Sequence, residues 1–182
     1  MKRLLLVAMV ATLSGCGYNR IQTLDEQVTA FESQIEVQLQ RRADLVPNLV
    51  ATVRGFAEQE EEIFTAVADA RARLSGAIQQ GDLQQMANAN QGLNSALGRL
   101  LAISENYPEL RSSQLFRDLQ VQLEGTENRL STARQDYNNA VREYNAYIRR
   151  FPQVLTAKAI GAGAREYFEA EAGTEEVPTV EF

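Results

Sequence analysis

The chain has 182 residues, enough for one compact domain, and a helix-favouring composition: Ala, Leu, Gln, Glu and Arg recur, with four Pro and no Trp. Eighteen Lys and Arg against twenty-four Asp and Glu leave a net charge of -6, which argues against non-specific nucleic-acid binding through phosphate neutralisation. With no His and a single Cys, Cys16, an imidazole base, a Ser-His-Asp triad, a His-ligated zinc site and an internal disulfide are excluded.

MKRLLLVAMVATLSGC opens with two basic residues, Lys2 and Arg3, and an apolar run from Leu4 to Leu13. Such a run falls short of the roughly 20 residues that span a bilayer, but it suits the h-region of a signal peptide. It closes on Leu13-Ser14-Gly15-Cys16, which resembles the lipobox of bacterial lipoproteins, where the Cys thiol takes a diacylglyceryl group before cleavage. The expectation is a signal peptide over 1–15 and a mature chain from Cys16, with a charge of -8 once Lys2 and Arg3 are gone. Membrane lipid, held through Cys16, is then the first partner, and a second acyl chain would make the anchoring stable. Gly17 rather than Asp follows the Cys, which favours the outer membrane in a cell that has two. The alternative is an uncleaved N-terminal anchor with an incidental Cys.

From Tyr18 onward, apolar residues recur at three-four spacing: Ile21, Leu24, Val28, Phe31 and Ile35, then Leu49, Val53 and Phe56, then Ile63, Val67, Ala70 and Leu74. These are the seam positions of helices packing at shallow angles. The helix is expected to stop in GAIQQGD, Gly76 to Asp82. A second stripe, Leu83, Met86, Leu93, Leu97 and Leu100, ends at ENYPEL, where Pro108 disfavours helix in the residue before it. A third, with Ser113 as candidate cap, runs through Phe116, Leu119, Leu123, Leu130, Ala133, Tyr137, Ala140 and Tyr144 to Phe151 and is closed by Pro152. No segment alternates as a strand does. The expected fold is all-α: an elongated antiparallel up-and-down bundle of three to four long helices over 16–152, the first kinked near Pro47. Residues 153–182 are expected to give a short helix in VLTAKAI and an acidic, largely mobile tail, in which Tyr167, Phe168, Val177, Val180 and Phe182 are the residues able to dock.

The stretch LQRRADLVPNLV, Leu39 to Val50, interrupts the first stripe. Continuing the heptad puts Gln38 and Arg42 on the seam and Leu39, Leu45 and Val46 beside it, so the register stutters before Leu49. Pro47 has no N–H, which leaves the Ala43 carbonyl in need of another donor. Asp44 capping a new turn would place Pro47 within that turn. Arg41 and Asp44 can pair on one face, whereas Arg42 needs a carboxylate from another helix, such as Glu127, Asp136 or Glu143. Two readings stand: a kink with its charges locally paired, or a protein-docking site made of Arg41, Arg42, Asp44, Pro47 and Asn48. Tyr137 and Tyr144, one heptad apart beside Asn138, Asn139 and Asn145, are either core seam or further docking residues.

VQLQRRADLVPNLVATVRGFAEQEEEIF (Val37 to Phe64), TENRLSTARQDYNNAVREYNAYIRRFP (Thr126 to Pro152) and the closing YFEAEAGTEEVPTVEF resemble the LemA family in order and spacing. The resemblance implies an antiparallel helical bundle, membrane-associated, without established catalytic activity, and associated with membrane stress or proteolysis partners. Family members commonly carry a longer single transmembrane segment, and here this chain departs from them. The combined reading is a non-enzymatic lipoprotein scaffold or adaptor of the bacterial cell envelope. It has no cofactor and no metal, its partners are unidentified envelope proteins, and self-association is left open. The alternatives are a single-span membrane protein and an envelope enzyme using Glu, Asp, Tyr or Arg, which would need two convergent carboxylates with separated pKa values. Glu58, Glu61 and Glu62 of EQEEE share a face on a helix, read as solvated rather than as a cation site. GAGA, Gly161 to Ala164, lacks the strand that a phosphate loop requires.

Overall fold

The structure, a computed structural model, describes the backbone of residues 2–168 and the side chains of residues 17–168. Every regular element among the described residues is helical: α1 (Lys2–Arg54), α2 (Glu61–Gln80), α3 (Leu83–Ala102), a 3-10 turn (Ile103–Glu105), α4 (Pro108–Ser112), α5 (Gln114–Ile148) and α6 (Gln153–Ile160). The all-α expectation holds, and the elements are consistent with a helical bundle. Two compact units divide the chain, one built from residues up to 35 with 131–167, the other from residues 36–130 with Phe168. Both α1 and α5 contribute to each.

Helix ends follow local chemistry. Gly81 terminates α2 in the left-handed region, φ 69°, which a residue without Cβ adopts at no steric cost. Asp82 then caps α3, its carboxylate accepting from the Gln85 N–H at 3.0 Å and from Gln85 Nε2 at 2.8 Å. The backbone bond holds the Asp82 carboxyl below its ordinary pKa. Pro108 opens α4, where its missing N–H costs nothing. Gly161, φ 72°, ends α6, and the Ala162 N–H reaches back to the Ala157 carbonyl at 2.9 Å.

The first stripe is not one helix to Gly76. α1 stops at Arg54, and residues 55–60 turn before α2 begins at Glu61. Gly55, a poor helix former, sits at the break, and the Phe56 and Ala57 N–H groups both close on the Val53 carbonyl. The turn shifts the register: Phe56, expected on the seam, is 41% exposed, while Ala57 and Phe64 are buried. It also splits EQEEE, leaving Glu58 in the turn while Glu61 and Glu62 begin α2, so the three do not share a helix face. Glu61 pairs across the turn with Arg54, whose guanidinium lies 4.9 Å from the Phe64 ring centroid.

Candidate functional site

In the second unit, α1 continues through Leu39 to Val50 without a break. Leu39, Arg42, Ala43, Val46 and Leu49 are its buried residues there. The register shift therefore falls between Ile35 and Leu39, both buried four residues apart, and Leu39 and Val46 occupy the seam rather than flanking it. Arg42, 7% exposed, pairs with Glu127 of α5, one of the three carboxylates its position called for. A guanidinium taken out of water is tolerable only with such a partner.

The carbonyl that Pro47 orphans is served from another helix. Arg71 of α2 donates from Nε to the Ala43 oxygen at 2.8 Å. Asp44 does not cap a new turn; it remains within the helix and accepts from Gln40 Nε2 at 2.8 Å on the surface. With the Ala43 oxygen bonded from outside the helix, the chain needs no new start after Pro47.

Arg41, Asp44 and Leu45 of α1 face Gln122, Thr126 and Arg129 of α5 across a groove of about 270 Å³. Thr126 is buried, and its hydroxyl donates to the Leu123 carbonyl at 2.7 Å. Arg129 folds back over Gly125, where a Cβ would stand 3.3 Å from its guanidinium, and donates from Nε to Gln38 Oε1 at 3.3 Å. The groove lining thus combines two arginines and one aspartate with the apolar Leu45, and guanidinium groups are suited to charge-assisted hydrogen bonds with a carboxylate. Pro47 and Asn48 are exposed and do not line the groove. Asp44 is its one carboxylate, and no Asp or Glu is buried among the described residues.

Tyr137 and Tyr144 belong to the first unit and are buried at 2% and 3% exposure. Both lie under the segment that follows α6. Tyr137 donates its hydroxyl to the Glu166 carbonyl at 2.9 Å. Asn145 holds Arg165 by both amide atoms, Nδ2 donating to its carbonyl and Oδ1 accepting its N–H, each at 2.8 Å. Arg165 then reaches Asp25 at 2.9 Å. Its partial burial opposes the charged form, but the bond to Asp25 and that carboxylate's charge outweigh burial and raise its pKa. Named bonds thus hold the segment at Arg165 and Glu166, Tyr167 is exposed and Phe168 is buried, while the expectations for Val177, Val180 and Phe182 lie outside the described residues. The side chain of Cys16 also lies outside them.

Burial, reinforced by the charge of Glu32, pushes the Tyr137 phenol up to about 12. The folded state favours the neutral hydroxyl, so this stabilisation is complete below the unfolded value of about 10 and is lost as pH rises through the folded one. Urea midpoints measured from pH 9 to 12 are expected to fall more steeply for the wild type than for Tyr137→Phe. Parallel curves would contradict this.

Sequence reasoning did not single out Arg71, Arg129, Asp25 or Arg165. For Arg71 the signal was available in the orphaned Ala43 carbonyl, which demanded a donor without saying from where.

A family model described as the LemA family matches residues 31–182. The magnetosome proteins MamQ 1 and MamQ 2 of Paramagnetospirillum magneticum are each 32% identical to this chain over 186 aligned positions, covering 90% of it and 68% of theirs. The magnetosome protein MamQ of Magnetospirillum gryphiswaldense is 31% identical with the same coverage.

Proposed function

The chain belongs to the LemA family, and from that premise we propose that it is a non-enzymatic docking bundle of the bacterial cell envelope, held on a membrane by lipid at Cys16. Family membership and the likeness to magnetosome proteins support a membrane-associated helical protein. No helix among the described residues is long and apolar enough to cross a membrane. The lipobox-like Leu13 to Cys16 supplies an attachment of another kind. In this reading the helices follow an up-and-down antiparallel course, and their charged side chains serve chiefly to fasten one helix to the next.

The observation that carries the docking role is the groove over Leu45, where Arg41, Asp44 and Arg129 stand around apolar surface. Its partner is an envelope protein presenting an acidic side chain beside an apolar one. A photocrosslinking residue in place of Leu45, in native membranes, is expected to capture such a protein, with loss of the adduct in Arg41→Glu/Arg129→Glu. Adducts insensitive to that double change, or equal from the exposed position of Phe56, would reduce the groove to architecture.

A further inference from the structure

Gly17, which follows Cys16, is buried against α6: a Cβ there would stand 3.5 Å from Gln153 Cγ and 3.6 Å from Thr156 Oγ1. The residue proposed to carry lipid therefore joins packed structure directly, with no tether between.

That end of the first unit displays apolar side chains to solvent. Phe151, just ahead of α6, is 80% exposed, and Leu155 within it is 60% exposed. Tyr18 and Ile160 are exposed as well. The charge along the segment that carries Phe151, Leu155 and Ile160 is of one sign. Between Glu143 and Glu166 the sequence carries Arg149, Arg150, Lys158 and Arg165 and no acidic residue, within a chain of net charge -6. Arg165 is engaged by Asp25. Arg149, Arg150 and Lys158 are exposed and form no ion pair among the described residues.

Water is a poor environment for an exposed Phe and Leu, and a bilayer interface is a good one. There the apolar side chains enter the boundary between headgroups and acyl chains while basic residues meet lipid phosphates. We propose that Phe151 and Leu155, flanked by Arg149, Arg150 and Lys158, form a membrane-contacting surface that seats on anionic phospholipid beside Cys16. It rests on the membrane-anchored reading and adds to it an orientation and a lipid preference.

The chain contains no Trp, so Leu155→Trp installs a single emitter. The full chain is reconstituted into vesicles of phosphatidylglycerol with phosphatidylethanolamine, and separately into phosphatidylcholine. The expected result is blue-shifted emission quenched by lipid brominated on its acyl chains, phosphatidylglycerol in the first vesicles and phosphatidylcholine in the second, with both effects reduced in phosphatidylcholine and in Arg149→Glu/Arg150→Glu. Leu115→Trp, at a position 58% exposed in the second unit, is expected to stay solvent-like and unquenched. Emission at 155 as solvated as at 115 overturns the surface, and equal quenching in phosphatidylcholine overturns its assignment to anionic lipid. Intact mass on the same sample reads the anchor separately. A lipidated chain with solvated emission rejects the surface alone, and an unlipidated chain with quenched emission rejects the anchor alone.

Discussion

Glu127→Ala is expected to lower the free energy of unfolding by about 3 kcal/mol, the range for breaking a buried ion pair from one side. The loss is large because the change takes the carboxylate from beside Arg42, whose side chain is 9% exposed against 37% for Glu127. Arg42→Met should cost less: it removes the charge that needs a partner and returns apolar volume to the seam, leaving a carboxylate that can turn to water. The double variant Arg42→Met/Glu127→Ala should therefore be more stable than Glu127→Ala alone. Urea midpoints for the four proteins check this. Equal and additive losses would mean that the pair does not act as a unit.

The second large effect concerns Pro47. Arg71→Ala deprives the buried Ala43 carbonyl of its donor and is expected to cost about 2 kcal/mol, the penalty of an unsatisfied buried acceptor. Pro47→Ala restores the N–H that would ordinarily bond that oxygen within the helix, at an exposed site where little packing is lost. Arg71→Ala in the Pro47→Ala background is therefore expected to cost roughly 1 kcal/mol less than in the wild type. The same cost in both backgrounds would show that Arg71 supports α1 by packing rather than through the carbonyl.

The part of the fold that the sequence made legible is the part that local periodicity decides. The stripes from Leu83 to Leu100 and from Phe116 to Tyr144 became α3 and α5 within a few residues of the expected limits, because Pro108 and Pro152 leave little choice about where a helix stops. The break at 55–60 was missed because apolar residues at Val53, Phe56 and Ile63 keep a seam-like spacing on both sides of it. Gly55 was the one local sign, and a lone glycine is not decisive inside a helical pattern.

At the candidate sites, what the residues require was readable and what supplies it was only partly so. A charged residue on a seam needs a partner, and Arg42 found Glu127. A proline in a helix leaves a carbonyl in need, yet the donor came from Arg71, which is 28 positions away, and nothing nearby announces it. The Tyr137 and Tyr144 pair looked the same as seam or as docking residues, because the segment that covers them is chosen by tertiary contacts. The bidentate hold of Asn145 on Arg165 belongs to that same class.

In the proposed function, lipid on Cys16 holds this helical protein on a membrane. Its most direct test is the intact mass of the protein extracted from its native membrane, beside a Cys16→Ala variant. The expected mass is that of residues 16–182 plus acyl chains, with the acylated species lost in the variant. A chain that keeps residues 1–15 and carries no lipid would contradict it and return the uncleaved N-terminal anchor.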